Sequence, residues 1–114
     1  MATSKIPNTN QTPEQYLLIN STYRTGQIVF TRQGSLVVFN SGNDFKTLSQ
    51  STWIVLGTVP ERFRPVNDIQ VRVSNNANLI RIQIKTDGEV SAYNNGPAIT
   101  TNTNGAFNGA YAVA

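Results

Sequence analysis

Two stretches of strict period-two alternation constrain the fold of this chain more than any other feature. In residues 69–73, Ile69, Val71 and Val73 fall on one face and Gln70 and Arg72 on the other; in residues 80–85, Ile80, Ile82 and Ile84 oppose Arg81, Gln83 and Lys85. Successive side chains of a strand point to opposite faces, so the pattern predicts strands with one buried and one wet face. Residues 74–78 make a polar, Asn-rich connection between them. The next turn, Thr86-Asp87-Gly88, tests the register. A two-residue Asp-Gly loop would set Ser91 and Tyr93 on the isoleucine face, whereas a three-residue loop ending in Gly88 pairs Ile84 with Val90 and Ile82 with Ala92. The second choice buries apolar against apolar and sets Lys85 opposite Glu89, so a three-residue loop with a glycine bulge is expected.

Residues 27–40, QIVFTRQGSLVVFN, form a second hairpin signal, two apolar runs about one glycine. A three-residue loop of Arg32, Gln33 and Gly34 would make Thr31 and Ser35 the closing pair, with Phe30 facing Leu36 and Ile28 facing Val38. Val29, Val37 and Phe39 leave the other face apolar too, which places such a pair inside a sandwich or against a neighbouring subunit. Residues 16–19 and 53–56 read as short apolar strands, the latter stopping at Gly57. Pro60 and Pro65 each lack a ladder donor, so the segment between them is not a central strand. There Phe63 is expected to anchor the segment while Arg62 and Arg64 reach outward. Residues 1–14 are polar, contain Pro7 and Pro13, and read as a flexible arm or the stub of a longer N-terminal region. Residues 106–114 read as a terminal strand whose small residues allow close approach of another chain or sheet. No helical period is convincing. Seven or more short strands in about 100 residues predict one all-β domain over residues 15–114, an antiparallel β-sandwich or jelly roll.

Composition excludes much chemistry. The chain has no His and no Cys, so Ser-His-Asp catalysis, His-based metal sites, thiolate sites and disulfides are ruled out. Of the six acidic residues, Asp87 belongs to a turn and Glu89 to a cross-strand pair. Asp44, Glu61 and Asp68 remain, and nothing in their spacing demands a glycosidase pair. No phosphate-cradling glycine loop is present. No enzyme activity, cofactor or metal is therefore expected. The nine basic residues are scattered, only Arg62 and Arg64 being close, which argues for solvated faces over a phosphate-binding stripe. No apolar run approaches the roughly 18 residues that span a bilayer, and no secretory signal is visible.

A binding surface is what remains. Asn, Thr and Ser make up about a third of the chain, and such groups, with aromatic faces, recognise sugars; their plainer role is to fill turns and wet strand faces. Trp53, in a short apolar run, is expected in the core. Tyr93, with Asn94 and Asn95 at a strand end, is the better saccharide candidate, and Arg64 and Asp68 beside the Pro-rich segment are the charged pair added to it.

The string GQIVFTRQGSLVVF resembles the first hairpin of bacteriophage tail-fibre and baseplate proteins. WIVLGTVPERFRP resembles the segment those proteins carry before their second hairpin, and IKTDGEV and GAFNGAYAV are similar to that domain's end. The likeness covers residues 27–114 in order, with PERFRP its most diagnostic part. Val59 stands where leucine is usual, and Pro97 lies in a loop usually without proline. The resemblance implies a trimeric β-sandwich or jelly-roll head at the tail tip or baseplate of a virion. Its implied partners are a cell-wall or capsular saccharide of the host, two further copies of itself and upstream tail or baseplate proteins, with neither nucleic acid nor membrane insertion. Other readings are a structural baseplate or adaptor domain, a tumour-necrosis-factor-like trimeric ligand suggested by the FNGAYAV ending, and a basic nucleic-acid-binding β-domain.

Overall fold

Alternating apolar residues become strands because only pairing satisfies their backbone amides while one side of each leaves water. The computed structural model describes residues 12–73 and 79–114. The expected arm falls mostly on residues 1–11, and the expected connection on 74–78, both outside the described residues. The strands are β1 (Glu14–Ile19), β2 (Gln27–Gln33), β3 (Leu36–Ser41), β4 (Asp44–Phe45), β5 (Trp53–Thr58), β6 (Ile69–Arg72), β7 (Ile80–Ile84), β8 (Glu89–Asn94), β9 (Thr103–Asn104) and β10 (Phe107–Ala112). Glu14 thus opens β1, opposite Arg32, and does not close the arm. The one helical segment among the described residues is a 3₁₀ turn at Glu61–Phe63.

Two four-stranded antiparallel sheets result, sheet one in the order β1-β2-β3-β10 and sheet two in the order β5-β8-β7-β6. In sheet two the meander β6-β7-β8 is joined by β5, which lies beside β8 in Greek-key order. The inner faces meet in one core. Sheet one contributes Ile28, Phe30, Val37, Phe39, Phe107 and Tyr111, and sheet two contributes Leu56, Ile80, Ile82, Ile84, Val90 and Ala92. Phe39 sits at its aromatic centre, 5.8 Å from Phe30 and from Tyr111 and 6.1 Å from Phe107 between ring centroids. It lies against Gly109 of the adjoining strand β10, where a Cβ would come within 2.6 Å of the ring and 3.1 Å of Val71 Cγ1 of the facing sheet. The fold is the all-β antiparallel sandwich that the alternation predicts.

The two glycine hairpins differ. At the β7–β8 turn Gly88 takes φ +91°, Ile84 pairs with Val90 and Ile82 with Ala92, and Lys85 Nζ lies 3.0 Å from Glu89 Oε1, as expected. The β2–β3 turn departs from expectation. Its loop is two residues, Gly34 at φ +63° and Ser35, with Gln33 opposite Leu36, so that Phe30 faces Phe39 and Thr31 faces Val38. Glycine in the first central position is what a type II′ turn requires, and this register stacks two phenylalanines in the core. Strand β5 also runs past its expected end. A bulge between Val55 and Gly57 carries it to Thr58, and at Gly57 a Cβ would lie 2.5 Å from Leu18 Cδ1 of the facing sheet.

The segment between Pro60 and Pro65 crosses the edge of the sandwich. Phe63 is buried, and its carbonyl accepts from the Tyr111 hydroxyl at 2.5 Å. Burial raises the Tyr111 phenol above its ordinary value, so it remains a donor. Arg62 reaches out and pairs with Glu14, but Arg64 does not: its Nε is buried, and its side chain lies against Gly88.

The opposite end is gathered by Arg24, 2% exposed. Its guanidinium donates to Gly105 O (3.1 Å), Ser41 Oγ (2.5 Å) and Asn43 O (3.3 Å), while Cζ sits 4.5 Å from the Phe45 ring centroid and 5.0 Å from that of Phe107. Burial draws its pKa down to about 10, and the Asp44 carboxylate opposes the shift, so the group stays charged at neutral pH. Arg24→Leu should strip the buried Gly105 carbonyl and Ser41 hydroxyl of this donor at a cost of about 3 kcal/mol, lowering the thermal midpoint by roughly 10 °C or more. Calorimetry checks this; a midpoint within 2 °C or so of wild type would mean that Arg24 is not the anchor of this end.

Candidate functional site on the outer face of sheet two

Committing Ile80, Ile82, Ile84, Val90 and Ala92 inward leaves the alternate positions outside. Register then aligns them: Trp53 pairs with Tyr93, Tyr93 with Arg81, and Arg81 with Arg72. One row thus crosses all four strands, spanning about 14 Å at the usual strand spacing. Trp53 is 41% exposed, so the expectation of a core tryptophan is overturned. The run Trp53-Ile54-Val55-Leu56 is apolar on both faces, and pairing with β8 turns Ile54 and Leu56 inward and Trp53 and Val55 outward. The Trp53 and Tyr93 rings lie 5.0 Å apart at 41°, and the Arg81 guanidinium carbon stands 5.4 Å from the Tyr93 centroid. Such contacts hold aromatic and cation in a fixed relation. Beside the row, Arg72, Leu79, Arg81 and Asn95 line a depression of about 220 Å³.

The sequence candidates divide. Tyr93 is in the row and half-buried, and Asn95 is exposed at the rim of the depression. Asn94 lies beneath them, 0% exposed. Its Nδ2 donates to Pro97 O at 2.7 Å and Leu48 O at 3.4 Å, and its Oδ1 accepts from Gly96 N at 2.9 Å. It is therefore a scaffold residue, and no part of its amide faces a ligand. Arg64 and Asp68 both lie at the β7–β8 turn, where Arg64 packs on Gly88 and Asp68 Oδ1 accepts from Thr86 N at 2.8 Å. That turn is at the other end of sheet two, about 13 Å along β8 from Tyr93 at 3.3 Å per residue.

Trp53, Arg72 and Arg81 were not singled out as site residues. The signal for the arginines was present, since antiparallel pairing of Ile69 with Ile84 places Arg72 opposite Arg81. The backbone at this end is also unusual. Among the described residues, the non-glycine residues with positive φ are Ser51 at +56° and Leu79 at +53°, a conformation that costs side-chain-bearing residues energy. Both are tied to the Asn94 segment, Ser51 N donating to Asn94 O at 2.7 Å and Asn95 N to Leu79 O at 3.3 Å.

A wider hollow of about 640 Å³ lies elsewhere, lined by Glu14, Arg32, Gly34, Arg62 and their neighbours. Its charges are engaged: Arg62 Nε lies 2.9 Å from both Glu14 carboxylate oxygens, and Arg32 donates to Gly34 O and Arg62 O. Hydrogen bonds from Arg62 hold the Glu14 carboxyl below its ordinary value. Any stability from this pair is thus present above the unfolded carboxyl's pKa and lost as pH falls through the folded one.

Asn94→Ala should cost about 2 kcal/mol or more, because the buried amide's bonds to Pro97 O and Gly96 N are lost together with a longer one to Leu48 O, which keeps Ile99 N, whereas Asn95→Ala should stay within about 0.5 kcal/mol of wild type. Urea unfolding of the pair checks the assignment; equal stabilities would deny Asn94 its scaffold role.

No family model matches the chain, and no curated protein matches it significantly, so the chemistry of this face is read from its geometry.

Proposed function

We propose that the chain is the receptor-binding head of a bacteriophage tail appendage, carried at the tail tip or baseplate, and that it attaches to saccharide on the bacterial surface. The observation that carries the saccharide reading is the pairing of exposed Trp53 with half-buried Tyr93 on the outer face of paired strands. Aromatic planes pack against the C–H face of a pyranose, and amide and guanidinium donors such as Asn95 and Arg81 orient its hydroxyls. The phage assignment rests on the ordered resemblance of residues 27–114, PERFRP above all. The role is binding and not catalysis.

Attachment by a single open face is weak, and copies multiply it. The outer face of sheet one supports self-association. Its outward positions, residues 15, 17 and 19 of β1, 27, 29, 31 and 33 of β2, 36, 38 and 40 of β3, and 108, 110 and 112 of β10, contain no charged side chain. Leu17, Ile19, Leu36 and Val38 there are exposed. Uncharged apolar faces of this kind meet other protein surfaces, and two further copies of the chain are the proposed occupants. The same patch favours a second reading, a structural adaptor domain that grips other baseplate proteins and binds no glycan.

Trp53→Ala and Tyr93→Ala should each weaken binding to purified host envelope polysaccharide by about tenfold or more, the scale of an interface anchor, while leaving the unfolding midpoint within a few degrees. Unchanged binding in both would remove this face from attachment, and absence of binding by wild type across host polysaccharides would favour the adaptor. Light scattering should give about three times 12.5 kDa for wild type and the single-chain mass for Val38→Glu; a wild-type monomer contradicts self-association through sheet one.

A further inference from the structure

Arginines directly opposed on neighbouring strands, with no acid between them, repel each other unless something neutralises them. Arg72 and Arg81 are such a pair. All six carboxylates of the chain lie among the described residues, and none serves them. Glu14 pairs with Arg62 and Glu89 with Lys85, Asp68 and Asp87 accept turn amides, Asp44 acts on Arg24, and Glu61 sits in the 3₁₀ turn. The two guanidinium groups, without a carboxylate partner among the described residues, border the depression of about 220 Å³, next to the aromatic pair in the same row. Guanidinium is planar and offers paired donors that match the two oxygens of a carboxylate or phosphate, and Arg81 is further held by its stacking on Tyr93.

From this juxtaposition we infer that the site takes an acidic saccharide: a pyranose ring on Trp53 and Tyr93, with a carboxylate or phosphate on the same or the adjoining residue held between Arg81 and Arg72. The inference rests on the saccharide reading above and adds the charge of the ligand to it. The sugar ring supplies contact on the aromatic side, and the anion supplies orientation and selectivity at the arginine side. Direction along the glycan follows, since the row is aromatic at β5 and cationic at β6. The two guanidinium charges also attract an anionic ligand over distance, so the association rate falls with salt.

The test is calorimetric titration of wild type, Trp53→Ala and the double variant Arg72→Gln/Arg81→Gln at low and physiological salt. The probes are tetragalacturonate, a glycerol phosphate tetramer, maltotetraose and an eight-residue oligothymidylate. Thermal unfolding of each variant shows that it is folded, and Arg72→Lys/Arg81→Lys separates charge from paired donors. At least one acidic probe is expected to bind about tenfold or more tighter than maltotetraose. The glutamine pair should erase that preference, bringing the acidic probes down to the affinity that the same variant has for maltotetraose, and the lysine pair should restore only part of it. Preference for tetragalacturonate assigns the anion to a uronate, and preference for the glycerol phosphate tetramer assigns it to a phosphodiester. Equal affinity for acidic and neutral sugars, indifferent to the arginines but lost in Trp53→Ala, overturns the acidic ligand and leaves the saccharide reading standing. Failure of all three sugars to bind overturns both for this face, and tighter binding of the oligothymidylate than of any sugar reassigns it to single-stranded nucleic acid.

Discussion

A strand has only two faces, and this one constraint organises the molecule. Once Ile80, Ile82 and Ile84 of β7 and Val90 and Ala92 of β8 are driven inward by the core, the residues between them have no choice but the outside. The turn at Gly88 fixes which of them meet, because a slip of one residue would exchange the faces of the whole strand. In β5 the regular pairing of Trp53, Ile54 and Val55 with Tyr93, Ala92 and Ser91 does the same, so that Ile54 faces inward while Trp53 is carried out beside Tyr93. The aromatic and arginine row is therefore a consequence of how the core is buried. It sits on paired strands, where side chains are held more firmly than on loops.

Buried polar groups close the ends of the sandwich, and hydrogen bonds offset the cost of burying them. Arg24 draws two chain segments, at Ser41–Asn43 and Gly105, around its guanidinium at one corner. Asn94 does comparable work below the row, joining the carbonyls of Leu48 and Pro97 through a single amide. Two residues in the left-handed region, Ser51 and Leu79, are bonded to this same segment. Each costs about 1–3 kcal/mol of strain, and such strain persists only where the surroundings over-determine the backbone. The rim of the depression is thus shaped by a core amide that no ligand touches, and the outer face of sheet one, which carries no charge, is free for a different kind of contact.

Much of the sandwich was legible in the sequence, for a physical reason that also marks where legibility stopped. Residues 80–92 alternate cleanly, so matching apolar to apolar selected one register at Gly88, and the structure has it. Residues 27–40 are apolar on both faces, so the same matching could not separate a two-residue loop from a three-residue one at Gly34. Trp53 was hidden for a like reason, because WIVL has no polar partner to name its outer face. Asn94 and Asn95 are neighbours of identical composition with opposite fates. What distinguishes them is the position of Leu48 and Pro97, which local pattern does not carry. Arg24 gave no signal at all: an isolated basic residue reads as solvated until Phe45, Phe107 and Gly105 close over it. Of the candidate site, Tyr93 and Asn95 were found from strand-end position, while Arg72 and Arg81 required the pairing of β6 with β7.

The central claim, that the outer face of sheet two is the ligand face and its arginine end reads negative charge, is tested most directly by mapping amide and side-chain NMR shifts during a titration with tetragalacturonate. The account predicts that the largest changes fall on the Trp53 indole, Tyr93, the Arg81 and Arg72 guanidinium groups and Asn95, with the outer face of sheet one unmoved. Changes confined to sheet one or to the hollow beside Glu14 and Arg62, or no saturable change at all, would contradict it.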